Sequence, residues 1–229
     1  MLFRSIRRDR LQIIFDAAPV GADYIPGHAH ADTLSFELSL GTERVLSNSG
    51  ISTYNVGPRR AWQRSTAAHN TVEIDGEDSS EMWSAFRVAR RARPFDLTVE
   101  RSETALRVAC SHDGYQRLEG KPIHRRTIEL GEPVLRVSDS ISGTGNHQAA
   151  GRFHFHPGTR VQETTAGDWM IFLPQGTRWR MVGRNGLQLT REEGEYSPEF
   201  GKSTVRPVLV WRIEGQLPID AVVEILEEG

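Results

Sequence analysis

Two short segments of this sequence carry residue types that could do chemistry. The first, IPGHAHADTLSFEL at residues 25–38, places His28, His30 and Asp32 on alternate positions and then continues into alternating apolar residues. Successive side chains of a strand point to opposite faces, so a continuous strand would align these three groups with the apolar stripe that follows. Buried polar groups need partners, which a metal ion or a set of hydrogen bonds would supply. The alternative is a bulge near Asp32 that turns the histidines outward.

The second segment, RRAWQRSTAAHNTVEIDG at residues 59–76, carries a further histidine just ahead of a strand-like run. From a strand entrance, His69 could reach His28 or His30. Two histidines from one segment and a third from another, with a carboxylate or amide nearby, are an adequate set of zinc ligands. A metal-binding cupin barrel is the rival interpretation, but Glu37 lies too far beyond His30 for the cupin spacing.

The elements that must position these residues are predicted to be strands. Short runs rich in branched and aromatic residues recur at roughly 8 to 15 residue intervals, with turn residues between them, which is typical of antiparallel sandwiches and barrels. We expect an all-β fold, a large antiparallel multi-sheet β-sandwich, as a single domain over residues 1–229. The best helical candidate is the short segment 78–86, where Ser79 or Ser80 could cap a turn or two.

Composition limits the classes of partner. Among 229 residues, 28 are Lys or Arg and 30 are Asp or Glu, and the net charge of −2 disfavours nucleic acid. The N-terminal MLFRSIRRDRLQIIF predicts no signal peptide and no transmembrane segment, because its apolar stretch is too short. Cys110 is the only cysteine, so no intramolecular disulfide can form.

Several motifs in matching order resemble one family. These are PGHAHADTLSFEL, then NSG at 48–50 and Tyr54, then RSTAAHNTVEIDGEDSSEMW and FRVARRARP. Over residues 10–213 the chain resembles the C-terminal β domain of the heparinase II/III-like polysaccharide lyases. The resemblance implies eliminative cleavage of uronic-acid-containing, acidic polysaccharides, bound between the sandwich and an α/α toroid domain. The toroid is not among these residues, so a toroid domain or subunit would have to complete the active site. The resemblance also suggests a periplasmic location.

Site residues follow from the resemblance, motif by motif. It implies that His28 acts as the base or neutralises the substrate carboxylate, and Tyr54 is a weaker catalytic candidate. It also implies that His30 and His69 hold a structural Zn²⁺. The remaining zinc ligand is usually an aspartate, where this chain has Asn48. An amide oxygen is a weaker ligand than a carboxylate, so we expect weaker zinc binding, unless Asp32 substitutes.

Arginines are frequent around the second motif and could grip carboxylates or sulfates bidentately. The alternative is that they are solvated and paired with the many glutamates. Arg64 is the preferred substrate-binding candidate because it lies inside the motif, and Asn70 is the second. A competing function is a non-catalytic carbohydrate-binding or scaffold module that keeps the same sandwich.

Overall fold

Antiparallel strands make up most of the chain, as the sequence predicts. In the computed structural model the described residues are 3–131, 133–165 and 168–228, so the two ends of the predicted domain lie outside them. Strands hold 55% of the residues and helices 5%. In chain order the strands are β1 (Phe3–Arg8), β2 (Leu11–Asp16), β3 (Phe36–Leu40), β4 (Glu43–Leu46), β5 (Val72–Ile74), β6 (Met82–Trp83), β7 (Arg87–Val88), β8 (Pro94–Arg101), β9 (Ala105–His112), β10 (Ile123–Gly131), β11 (Val134–Ser142), β12 (Asn146–His154), β13 (Arg160–Thr165), β14 (Asp168–Phe172), β15 (Arg178–Gly183), β16 (Leu189–Tyr196), β17 (Thr204–Gln216) and β18 (Ile219–Glu228).

The strands form three larger sheets and one small hairpin. One four-stranded sheet has the order β1-β2-β3-β4, and a second has the order β16-β17-β12-β5. The eight-stranded sheet has the order β13-β14-β15-β18-β11-β10-β9-β8, and β6 pairs with β7. A backbone bridge between Leu46, at the end of β4, and Phe155, just after β12, connects the two four-stranded sheets. The predicted large antiparallel β-sandwich is therefore confirmed.

One apolar core unites the three sheets. Phe36 from the first sheet, Phe153 and Trp211 from the second, and Ile128 from the eight-stranded sheet are all buried in the same cluster. Gly151 on β12 lies opposite Trp211 on β17, and a Cβ at Gly151 would be 2.3 Å from the indole ring. The indole therefore occupies the space that any larger side chain at this position would need.

Strand β10 shows how the pleat brings charge into this interior. Its buried positions alternate, with Ile128 and Leu130 in the core and His124 and Arg126 on the same face of the strand. Because alternate residues share a face, the polar pair continues the apolar stripe into the sandwich. Arg126 donates to the carbonyl oxygen of Leu34 at 3.0 Å, so this end of the stripe lies directly under the first histidine segment.

The helix predicted at residues 78–86 is wrong. This segment contains β6, and its serines serve tertiary contacts: Ser79 N donates to Thr66 Oγ1, and Ser80 Oγ accepts from Ala92 N, each at 2.8 Å. The α-helix is α1 (Pro58–Arg64), which begins on a proline and is followed by a 3-10 turn at Thr66–Ala68. Seven residues are too few to give a helical period. Among the described helices, neither has the length and apolar character to cross a membrane.

Candidate functional site

The first histidine segment is a loop and not a strand. Strand β3 begins only at Phe36, and Leu34 has a left-handed backbone with φ of 62°. Of the two alternatives, a continuous strand through His28, His30 and Asp32 does not form, because the left-handed residue interrupts the alternation. The loop closes on itself through a hydrogen bond from Ser35 N to Asp32 O at 2.8 Å.

The two histidine segments are joined by hydrogen bonds between backbone and side chains. Ala31 N donates to Arg64 O at 2.9 Å, and Thr66 Oγ1 donates to Ala31 O at 2.8 Å. Further along, Thr71 Oγ1 donates to Thr33 O at 3.0 Å. These bonds cover the stretch from α1 to the start of β5, so they fix the loop that carries His30 against the turn that carries His69.

His30 and His69 meet in the interior, as the zinc hypothesis requires. His30 Nδ1 lies 3.1 Å from His69 Nε2. His69 Nδ1 is 2.7 Å from the carbonyl oxygen of Ser65, to which it donates, so its Nε2 lone pair faces His30. Asp32 completes the group, because one ligand atom from each of the three residues lies within 4.8 Å of the other two. The alternative prediction, in which a bulge near Asp32 turns the histidines outward, does not hold for His30 and His69.

Burial keeps this cluster neutral. It lowers the pKa of His30 to about 2, with a further contribution from His69, and lowers the pKa of His69 to about 4. Burial, and then the charge of Asp16, raises the pKa of Asp32 to about 8. Neutral imidazoles have free lone pairs, and a bound cation would replace the proton on the Asp32 carboxyl. This donor set fits zinc.

Asn48, the further ligand that the resemblance implies, has an unused acceptor. Its neighbour Ser49 donates through Oγ to the carbonyl oxygen of Ala68 at 2.6 Å, immediately before His69. The Oδ1 atom of Asn48 is buried and accepts no hydrogen bond from the residues that the structure describes. An orphaned buried oxygen at this place fits the expected fourth ligand. The liganding roles of His30, His69 and Asn48 stay predictions.

His28 and Tyr54 are brought together at the surface. Their ring centroids are 5.4 Å apart in an edge-to-face arrangement, and both rings also contact Phe86, at 5.9 and 5.6 Å respectively. Phe200 lies 5.3 Å from Tyr54 on another side. We call these four residues the aromatic cluster. Because His28 is exposed while His30 is partly buried against His69, the loop presents one imidazole outward and the other inward.

Arg64 and Asn70, the two substrate-binding candidates, are both fully buried. Arg64 Nε donates to Ala29 O, and its Nη1 donates to Ser84 O, both at 3.1 Å. Asn70 Nδ2 donates to Phe36 O at 2.9 Å, and its Oδ1 accepts from the backbone of β12. In this structure both side chains hold the motif segments in place, and their predicted contact with substrate stays a prediction.

The comparison with protein families identifies the chain. The model of the family "Heparinase II/III-like, C-terminal" matches residues 2–218. The chain belongs to this heparinase II/III-like family. The resemblance carried by the two histidine motifs is thereby confirmed. No curated protein matches the sequence.

Solved structures share the fold of this heparinase II/III-like domain. The heparan sulfate lyase HepC of Pedobacter heparinus matches with a TM-score of 0.76 and 18% identity, covering 95% of this chain and 33% of that one. The heparinase III BT4657 gene product matches with a TM-score of 0.76 and 17% identity, again covering 95% and 33%. A 4-alpha-glucanotransferase of Thermococcus litoralis matches at 0.56 and 11%, covering 98% and 37%. The chain thus spans about a third of each.

Two residues at the site of this heparinase II/III-like domain, Arg60 and Arg126, were not among the site residues predicted from the sequence. Arg60 was one of several arginines in the second motif, and only the position of α1 shows that it lies under the aromatic cluster. Arg126, distant in sequence, donates to backbone carbonyls in both histidine segments. Its only sequence signal is a charged residue at an inward-facing position of β10.

Proposed function

We propose that this chain is the β-sandwich portion of a lyase that cleaves uronic-acid-containing polysaccharides by β-elimination. The observation that carries the proposal is the convergence of the two histidine motifs, with His28 beside Tyr54 at the surface and His30 against His69 below. The names of two structural neighbours, a heparan sulfate lyase and a heparinase III, support an acidic polysaccharide as substrate.

The reaction requires a base, an acid and a group that neutralises charge. A base removes the C5 proton beside the uronate carboxylate, the electron pair forms the C4–C5 double bond, and the C4–O4 bond breaks. Charge develops on the carboxylate in the transition state, where a cation or hydrogen-bond donor stabilises it. An acid then protonates the departing O4. Exposed His28 suits the duty of base or neutraliser, because its imidazole is accessible and can accept or donate a proton, and the adjacent Tyr54 hydroxyl suits proton transfer.

Zinc would be held by His30 and His69, with oxygen ligands from Asp32 and Asn48. A structural zinc would supply a rigid tie between the two segments. The tie would act on the loop two residues beyond His28 and so fix the direction in which that imidazole points. His69 already donates its second ring nitrogen to a backbone carbonyl, as zinc-bound histidines usually do.

We further propose that an α/α toroid, as a domain or a subunit, supplies the other wall of the substrate cleft. The chain spans about a third of the lyases it resembles in fold, so residues outside this sequence would complete the site. The rings of Phe86 and Phe200, 45% and 62% exposed, lie on the surface that would face it.

The test is an assay for the unsaturated uronate product, run on this chain alone and on a version joined to a toroid. We expect product only from the joined protein, with large losses for His28→Ala and for Tyr54→Phe. Tyr24→Phe is the matched control, because Tyr24 is exposed and outside the aromatic cluster. Full activity of the His28→Ala protein would contradict the proposal.

The second candidate is a carbohydrate-binding module without catalysis. Exposed aromatic rings next to one another favour it, because sugar faces stack on such rings. Saturable polysaccharide binding with no unsaturated product, from the joined protein as well, would select this function.

A further inference from the structure

Arg60 is a buried cation with unused hydrogen-bond donors. Its residue surface is 0% exposed, and its Nε donates to the carbonyl oxygen of Ala85 at 3.1 Å. Both Nη atoms are buried and have no hydrogen-bond partner among the described residues. A buried guanidinium with unpaired N–H groups is costly unless an anion or acceptor meets it.

The cover over this guanidinium consists of exposed aromatic rings. The Arg60 Cζ atom lies 5.2 Å from the ring centroid of Tyr54 and 5.8 Å from that of Phe86. These rings are 39% and 45% exposed as residues, and His28 contacts both of them. Exposed side chains change rotamer on fast timescales, so we expect rotation of either ring to open a path from the surface to Arg60.

The buried arginines Arg64 and Arg206 lack either the unpaired N–H donors or the cover of exposed rings that Arg60 has. Arg64, one turn later on α1, places its donors on the carbonyl oxygens of Ala29, Ser84 and Arg87. Arg206 also keeps unpaired N–H groups, but the ring over it is that of Tyr196, which is itself buried. Arg60 combines free donors with a movable cover beside an exposed histidine.

We infer that Arg60 binds the carboxylate of an acidic sugar through its two Nη atoms once the ring of Tyr54 or Phe86 moves aside. The inference rests on the proposed function and names its carboxylate-recognising residue. A guanidinium matches a carboxylate with two parallel N–H···O bonds, and the pair is strongest where water is excluded. Arg60 would hold the uronate next to His28 and stabilise the charge that develops on that carboxylate during elimination.

The experiment compares two ligands that differ only in the carboxyl groups. The probes are a uronate-containing heparan sulfate oligosaccharide and the same oligosaccharide with its carboxyls reduced to alcohols. Binding to this chain is measured by calorimetry for the wild type, Arg60→Met, Arg60→Lys and Arg59→Met. Arg59 is the matched control, since it is a helix neighbour, exposed and paired with Glu195 at 3.4 Å.

We expect the wild type to prefer the carboxylate form by about ten- to a hundredfold, the range for a hydrogen bond to a charged group. Arg60→Met should lose this preference while binding the reduced oligosaccharide as before, Arg60→Lys should keep part of it, and Arg59→Met should keep it. In the wild type, the Nε–Hε resonance of Arg60 should shift with the carboxylate form only, which tests the inference even if Arg60→Met does not fold.

Two results would overturn the inference. One is an unchanged preference in a folded Arg60→Met protein, and the other is a wild type that binds both oligosaccharides equally or neither. These results are separable from failure of the proposed function. Elimination by the joined protein with carboxylate recognition intact in Arg60→Met would refute Arg60 alone, whereas Arg60-dependent recognition without any unsaturated product would leave the chain a binding module.

Discussion

Replacing Asp139 with asparagine should destabilise the fold by about 3 kcal/mol or more, although Asp139 lies outside the candidate site. Its carboxylate accepts from Arg126 Nε at 2.8 Å and from Arg126 Nη2 at 2.9 Å, and His124 Nε2 lies 2.7 Å from the same group. The side chains are 0% exposed for Arg126 and His124 and 2% for Asp139. Removing one partner of a buried ion pair costs about 3–5 kcal/mol, because the other charge stays buried.

The lower part of this range is expected because an asparagine oxygen at the Oδ1 position still accepts two of the three hydrogen bonds, those from His124 Nε2 and Arg126 Nε. Its NH₂ group, however, would face the donor Nη2 of Arg126. Against a total stability of about 5–15 kcal/mol for a typical domain, the loss is large. Urea unfolding should show a lower midpoint with an unchanged m-value.

Glu81→Gln is the matched control for this prediction. Glu81 also forms a bidentate pair with an arginine, Arg90, at 2.7 and 2.6 Å, but the two side chains are 30% and 70% exposed. Exposed pairs contribute about 0–1 kcal/mol. If Asp139→Asn were no more destabilising than Glu81→Gln, the buried pair would not be the structural anchor that its contacts indicate.

Three further predictions follow from the structure. Gly151→Ala should destabilise by about 1–3 kcal/mol, measured by urea unfolding, because its Cβ would overlap Trp211, whereas Gly215→Ala, with no atom within 4 Å, should cost little. Burial lowers the pKa of His112 below that of the unfolded chain, so the unfolded state takes up the proton first and stability falls as pH drops below about 6.5. In His112→Gln the slope of unfolding free energy between pH 6 and 5 should be smaller by about 1.4 kcal/mol per pH unit, and an unchanged slope would show that His112 is not the titrating group. Asn48→Asp should tighten zinc binding in a chelator competition, while Asn55→Asp, at an exposed position of the same loop, should not.

The sequence predicted the sheets far better than it predicted the loops. Strands such as β10 and β11 can be recognised from the sequence because buried and less buried positions alternate along them, with one face of each strand in the core. The alternating residue pattern from His28 to Phe36 suggested a continuous strand that does not form. Leu34 adopts a left-handed conformation that the local sequence does not require. Helix α1 was missed since its seven residues obtain their stability from contacts that are distant in sequence.

Within the candidate site, residue type was predictable but exposure was not. The family motifs indicated His30 and His69 as a pair, and the structure brings them within 3.1 Å. The sequence could not separate the surroundings of Arg64 from those of Arg60, for a physical reason. Both arginines lie on α1, four residues apart, and whether a guanidinium meets carbonyl oxygens or aromatic rings depends on the loop at residues 84–87. Sequence spacing does not contain that information.

The contacts of Arg126 link the interior of the sandwich to the candidate site. Its guanidinium is held by Asp139 and donates to the carbonyl oxygens of Leu34 and Asn70, which lie in the first and second histidine segments respectively. The Leu34 carbonyl lies four residues after His30 in the sequence, and the Asn70 carbonyl belongs to the residue directly after His69. Hydrogen bonds of one side chain on β10 thus reach both segments, the one that carries His28 and His30 and the one that carries His69. We therefore expect binding at the proposed zinc site, and the orientation of His28, to respond to Asp139→Asn, although Asp139 belongs to neither the proposed zinc ligands nor the aromatic cluster.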